Sequence, residues 1–166
     1  MLDIKRAESS DDFSSIADLA DVIWHECFKV ILTRNQIDYM VDKFQSYTAI
    51  NKAVQSDGYV YYMAYCDDDL CGYCGVRKED NGDLFISKVY VRSDMRKKGV
   101  ATAFFNRLST DFLNSSRWHL TVNKYNTQAI DTYKKRGFKV VRSLVTDIGG
   151  GFVMDDYIME RRIQML

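Results

Sequence analysis

Proline is absent from the 166 residues, so no proline-rich linker or polyproline segment divides the chain. Repeats and low-complexity tracts are missing too, and the length suits one domain covering residues 1–166. No apolar run approaches the ~20 residues that cross a bilayer, and the N-terminus lacks the pattern of a signal peptide. Neither a membrane partner nor secretion is expected. Cysteine is scarce: Cys27, Cys66, Cys71 and Cys74 read as free thiols of a reducing, cytoplasmic compartment. Cys71-Gly72-Tyr73-Cys74 has a Cys-x-x-Cys spacing, but it sits in a strand-like run. There an offset of three sends the side chains to opposite faces, and no second pair follows to complete a metal set. No metal site is predicted.

Net charge is also lacking, since 23 Lys/Arg balance 23 Asp/Glu. The signs are segregated, however. Residues 84–142 carry 13 Lys/Arg against Asp94, Asp111 and Asp131, a net +10 that leaves −10 for the remainder. One part of the chain suits a polyanion and the other a cation. With overall neutrality and no helix-turn-helix, zinc-finger or RNP-type motif, a nucleic-acid partner is not expected.

What is present reads as a mixed order of elements. Leu2–Ala7 suits a short strand. Phe13, Ile16, Ala20, Ile23, Cys27 and Ile31 keep a helical period behind cap candidates at residues 9–12. Thr33-x-x-Gln36 is a capping box leading into Ile37, Met40, Val41 and Phe44, and a weaker helix covers 48–55. Strands follow at Tyr59–Cys66, Leu70–Lys78 and Leu84–Val91, joined by an Asp67-Asp68-Asp69 turn and an Asp80-Asn81-Gly82 hairpin. An amphipathic helix spans 99–114, Trp118, Leu120 and Val122 alternate as a strand, and Asn126 caps a helix running to Arg136. Two strands, about 139–147 and 152–161, flank Gly149-Gly150-Gly151. That turn and the last strand admit a homodimer contact, a substrate loop, or neither. The order predicts an α/β (α+β) domain: a mixed, mostly antiparallel sheet of about six or seven strands with about four helices.

The chemistry concentrates in two stretches. In Val89-Tyr90-Val91-Arg92-Ser93-Asp94-Met95-Arg96-Lys97-Lys98-Gly99-Val100-Ala101-Thr102, a buried strand ends in a basic loop and a glycine opens a helix. Helix N-termini offer about four unpaired N–H groups and a partial positive charge, which suits a pyrophosphate. Neither a Walker loop nor Gly-x-Gly-x-x-Gly is present. About twenty residues on, Asn123-Lys124-Tyr125-Asn126-Thr127-Gln128-Ala129-Ile130-Asp131-Thr132-Tyr133-Lys134-Lys135-Arg136-Gly137-Phe138 places Asn126, Ala129, Ile130 and Tyr133 on one helix face.

Together these stretches resemble the two motifs of the GNAT superfamily of acetyl-CoA-dependent N-acetyltransferases: Gln/Arg-x-x-Gly-x-Gly/Ala after a hydrophobic strand, then Asn-x-x-Ala-x-x-x-Tyr-x-x-x-Gly-Phe. The resemblance implies the GNAT fold and acetyl-CoA as co-substrate. It implies that Val89, Tyr90 and Val91 lend main-chain hydrogen bonds to the pantetheine arm. Arg96, Lys97, Lys98, Gly99, Val100, Ala101 and Thr102 would hold the pyrophosphate, Asn123 and Asn126 would join the cofactor site, and Tyr133 would be the general acid. The implied reaction moves acetyl directly to a primary amine of a small molecule; a non-catalytic acyl-CoA-binding regulatory domain is the alternative.

Many relatives carry a Glu on the strand before the loop, whereas Phe85-Ile86-Ser87-Lys88-Val89 has no carboxylate. The base is therefore open among Glu26, His25, Asp155 and Asp156. Trp24-His25-Glu26-Cys27-Phe28, the residue 37–44 helix and Asp155-Asp156-Tyr157-Ile158-Met159-Glu160 are similar to a bacterial subgroup that includes polyamine acetyltransferases. That similarity implies a polyamine acceptor near Trp24, Glu26, Asp155 and Asp156.

Overall fold

A computed structural model describes residues 1–163. Leu2–Arg6 forms β1. Helix α1 follows over Ser10–Cys27, with Ser9 and Asp12 closing a reciprocal capping box. The apolar period that runs to Ile31 outlasts the helix, which ends at Cys27 because Phe28 becomes its cap and receives the Ile31 and Leu32 amides in a turn. Helix α2 (Arg34–Met40) starts at the Thr33 cap, but only half of the expected box forms. The Gln36 side chain instead donates to the Val153 carbonyl (2.8 Å), 117 residues away. One continuous helix through Phe44 is not found either: Val41–Gln45 winds as a π turn, a form that recurs at functional sites. Helix α3 covers Tyr47–Ser56.

Strands β2 (Tyr59–Cys66), β3 (Asp69–Lys78) and β4 (Leu84–Val91) run as an antiparallel meander. Helix α4 (Val100–Asp111), β5 (Arg117–Asn123), α5 (Thr127–Lys135) and the hairpin β6 (Lys139–Gly149) and β7 (Phe152–Arg162) complete the chain. The seven strands lie in the order β1-β2-β3-β4-β5-β7-β6, with β4 and β5 the one parallel pair among the described residues. This is the single-domain mixed sheet expected from the element order.

The sheet separates two cores. On one face α4 and α5 pack Phe104, Phe105, Leu108 and Ile130 against Trp118 and Leu120. On the other, α1, α2 and α3 pack Phe13, Ile16, Ile23, Ile37 and Ile50 against Tyr61, Met63 and Tyr73. Cys71 and Cys74 belong to the same core, which corrects the opposite-face expectation. Ala64 pairs with Gly72 and Tyr65 with Leu70, so Cys71 is the extra residue of a bulge and simple alternation fails there. Both thiols are fully buried, and Cys71 donates to the Ala64 carbonyl.

The β6–β7 turn serves as a roof over α2. Tyr39 donates to the Ile148 carbonyl (2.6 Å), and its ring lies against Gly150, whose φ is +62 and whose added Cβ would stand 2.9 Å from that ring. Gly150→Ala should destabilise the protein by about 1–2 kcal/mol for the left-handed backbone alone, a fall in Tm of roughly 2–8 °C at this size. Scanning calorimetry reads it; an unchanged Tm would mean that the turn does not hold Gly150 in the left-handed conformation.

Candidate active site

A second bulge creates the site. Gly75 pairs with Lys88 but Val76 pairs with Ile86, so Ser87 is the extra residue in β4. Before it, Leu84–Ile86 hydrogen-bonds to Trp118–Leu120 of β5; beyond it the two strands share no ladder. Bulges bend their strand, and here the bend leaves the Val89–Val91 edge of β4 open. The resulting cleft has a volume of about 1430 Å³, above the ~300–1,000 Å³ of a site for one small ligand. Two co-substrates can occupy it together.

On the α4–α5 side the cleft is built for an anion. Gly99 caps α4 at φ +85 with no side chain turned back onto the helix, so the first-turn amides keep their donors free. Lys97 is also left-handed, at φ +61, a conformation rare for a residue with a Cβ. Arg92, paired with Asp94 (2.6 Å) and Asp69 (3.0 Å), braces the loop. Arg96 is drawn inward, donating to Cys27 Sγ and, at 3.4 Å, to the Val91 carbonyl. Arg136 reaches from the end of α5 to Thr102 Oγ1 (2.6 Å), while its buried Nε has no partner among the described residues. Burial and the neighbouring Arg161 hold its guanidinium below the ordinary range. An anion in the cleft would relieve both features. Asn126 caps α5 by accepting from the Ala129 amide (3.3 Å).

Val89, Tyr90, Val91, Arg96, Lys97, Gly99, Val100, Ala101, Thr102, Asn123 and Asn126 all line the cleft. Lys98 does not; it is exposed.

Tyr133 lines the same cleft from α5. Its ring packs edge-on against Phe105 and Phe138, with centroids 6.4 and 5.9 Å away. Among the described residues nothing accepts a hydrogen bond from its hydroxyl. Burial raises its pKa above the ordinary phenol value, so the proton stays on through neutral pH. The group is a proton donor without an acceptor, held in place by its ring.

Four carboxyl or imidazole candidates separate clearly. Asp156, on β7, is buried and lines the cleft; burial, aided by the Asp155 charge, pushes its carboxyl up to about 6. Asp155 points elsewhere and pairs with Lys124 (2.8 Å). Glu26 is exposed and accepts from Ser93 Oγ (2.9 Å). His25 bonds Asp38 (2.6 Å) and the Asp21 carbonyl, and Asp38 holds its imidazole above the ordinary pKa. Neither Glu26, His25 nor Asp155 lines the cleft. Trp24 does, stacked on Phe28 (4.3 Å) and tilted toward Tyr90 (5.5 Å) as an aromatic wall.

Lys88 and Arg136 were not singled out by the sequence. Lys88 lies on the helical face opposite α4, where Nζ donates to the Phe44 carbonyl and the Tyr61 hydroxyl, each at 2.7 Å. The Phe44 carbonyl closes the π turn, where main-chain acceptors lack helical partners. The readable signal for Lys88 was a lysine inside an otherwise apolar strand.

The chain belongs to the GNAT acetyltransferase family, whose model matches residues 17–138. Its fold is similar to that of PaiA N-acetyltransferase from Thermoplasma acidophilum, solved with coenzyme A: TM-score 0.82, 19% identity, 98% of this chain and 99% of that one covered. It is also similar to a GCN5-related N-acetyltransferase from Rhodopseudomonas palustris (TM-score 0.80, 13% identity, coverage 97% and 95%). The ribosomal-protein-S18-alanine N-acetyltransferase of Escherichia coli gives a TM-score of 0.69 at 15% identity, covering 100% and 96%. No curated protein sequence matches the chain. No helix among the described residues is long and apolar enough to cross a membrane.

Proposed function

We propose that this protein is an N-acetyltransferase that moves acetyl from acetyl-CoA directly to a primary amine. One observation carries the reading: the gap between β4 and β5 opens onto the bare N-terminus of α4 and holds an unpartnered phenol. Acetyl-CoA supplies an activated acyl group as a thioester. Asp156 takes the proton that leaves the amine, and Tyr133 delivers one to the departing sulfur as the new C–N bond replaces the C–S bond. The Val91 amide polarises the carbonyl oxygen, and the cleft holds the two substrates together. None of the cysteines is needed as a nucleophile. An unpartnered phenol in the cleft favours this reading over a regulatory acyl-CoA binder, which has no use for a proton donor there.

The test is thiol release from acetyl-CoA by the purified chain over a broad amine panel. Amine-dependent release is expected. Tight acetyl-CoA binding by calorimetry with no release for any amine would leave the binding-domain alternative.

A polyamine acceptor fits the acidic remainder of the sequence, but the lining counts against it. Of that remainder's acids, Asp57 and Asp156 line the cleft, and Asp57 pairs with Lys52 (3.4 Å). Lys43 and Lys88 line it with no carboxylate partner among the described residues. The other acids of the remainder lie outside the lining.

A further inference from the structure

We propose that the acceptor is a small amino carboxylate, a zwitterion whose carboxylate is taken by Lys88 while its amine faces Asp156. The inference rests on the transfer reading above and names the class of amine. Lys88 has three ammonium donors; two are used by the Phe44 carbonyl and the Tyr61 hydroxyl, both neutral acceptors. Among the described residues the third donor has no protein acceptor and no carboxylate pairs with the charge. A half-buried cation satisfied only by neutral groups is costly, and burial pushes its ammonium down to about 8, so the charge persists at neutral pH without compensation. An anion arriving in the cleft supplies what the fold withholds.

The layout sets the amine's place as well. Lys88 on β4 and Asp156 on β7 flank β5 in the sheet order, and both line the cleft. Beyond Ser87 β4 leaves the β5 ladder, so the gap exceeds the two strand spacings, roughly 10 Å, of a continuous sheet and leaves room for one small molecule between the side chains. One wall is cationic and the other is a carboxyl. Lys43 adds a second cation without a carboxylate partner among the described residues, its Nζ donating to the Ile148 carbonyl and lying 5.4 Å from the Phe44 ring centroid. A polycation would meet Lys43 and Lys88 together, whereas a zwitterion meets one complementary group at each end.

The test pairs each amino acid with the amine left when its carboxylate is removed: lysine with cadaverine, ornithine with putrescine, γ-aminobutyrate with propylamine, phenylalanine with phenethylamine. Spermidine is included as the polycation. Thiol release at saturating acetyl-CoA gives kcat/KM, and thermal shift of the coenzyme A-loaded protein gives binding. Within at least one pair the amino acid should win by about 10–100-fold, the range for a hydrogen bond to a charged group. Lys88→Gln keeps a donor for Phe44 but removes the charge, and should collapse that ratio toward one by raising KM for the amino acid. Lys88→Arg, which keeps the charge, should preserve most of the ratio, and acetyl-CoA calorimetry confirms that both variants fold.

The inference is overturned if spermidine or the decarboxylated amines are used equally well or better, or if Lys88→Gln leaves the ratio unchanged. It is equally overturned if no amino acid is acetylated or shifts the melting of the coenzyme A-loaded protein. Should amino acids bind in a Lys88-dependent way without any amine releasing thiol, the transfer reading fails and the ligand assignment stands.

Discussion

Tyr133→Phe should lower kcat by about 10²–10⁴-fold, the range of a general acid's contribution, while acetyl-CoA affinity stays nearly unchanged. The substitution removes one oxygen and keeps the ring whose edge contacts with Phe105 and Phe138 fix its position. Because the hydroxyl makes no hydrogen bond to the described residues, its loss leaves no orphaned partner among them, and stability should hold or rise slightly. A tyrosine that merely packs predicts the opposite pattern, since phenylalanine packs as well. Single-turnover kinetics on acetyl-CoA-loaded protein, with calorimetry for the affinity, separate the two. Unchanged turnover would remove Tyr133 from the mechanism.

Asp156→Asn should affect activity and stability in opposite directions. The carboxyl titrates near 6 instead of its ordinary 3.8 because burial disfavours its charge. As the base, it must be ionised before the amine can lose a proton to it, so wild-type kcat/KM should fall as the pH drops through about 6. The asparagine variant should lose about 10²-fold or more, together with that acid limb. The sign for stability is reversed. A carboxyl whose folded pKa lies above the unfolded value stabilises the fold fully below about pH 4, and that contribution is lost as the pH rises through about 6. Two pH units correspond to about 3 kcal/mol. Asparagine cannot ionise, so its Tm should exceed that of the wild type at pH 8, with the difference closing by pH 4. A Tm difference independent of pH would show that the buried charge is not its source. The fold then carries a destabilising group at the point where the chemistry needs one.

The two GNAT motifs were legible because they are local. The glycine that opens α4, the free helix start, and the Asn126 cap with Tyr133 seven residues on are fixed by spacing within one or two turns of helix. Element order and sheet class were legible for a similar reason: period and turn chemistry vary along the chain and need no partner to be read. Boundaries failed where a distant contact outbid a local preference. Gln36 left its capping box for the Val153 carbonyl, and the helix through Phe44 became a π turn whose Phe44 carbonyl meets Lys88.

Both bulges escaped the sequence, since an extra residue changes no periodicity until its partner strand is known. The one at Cys71 moved a thiol to the other core, and the one at Ser87 opened the cleft. Which of the candidate carboxylates reaches the cleft was likewise not decidable from residue type. Asp155 and Asp156 are adjacent and identical, yet one pairs with Lys124 and the other is buried in the cleft. By itself the sequence determined the family and the two motifs that frame the cleft, Tyr133 on α5 among them, because each is written within a short span of backbone. Only the tertiary structure decided which carboxylate lies in the cleft and that a lysine with no carboxylate partner among the described residues stands on its far wall. Burial and pairing are properties of neighbours brought together across the sheet, and no stretch of chain contains them.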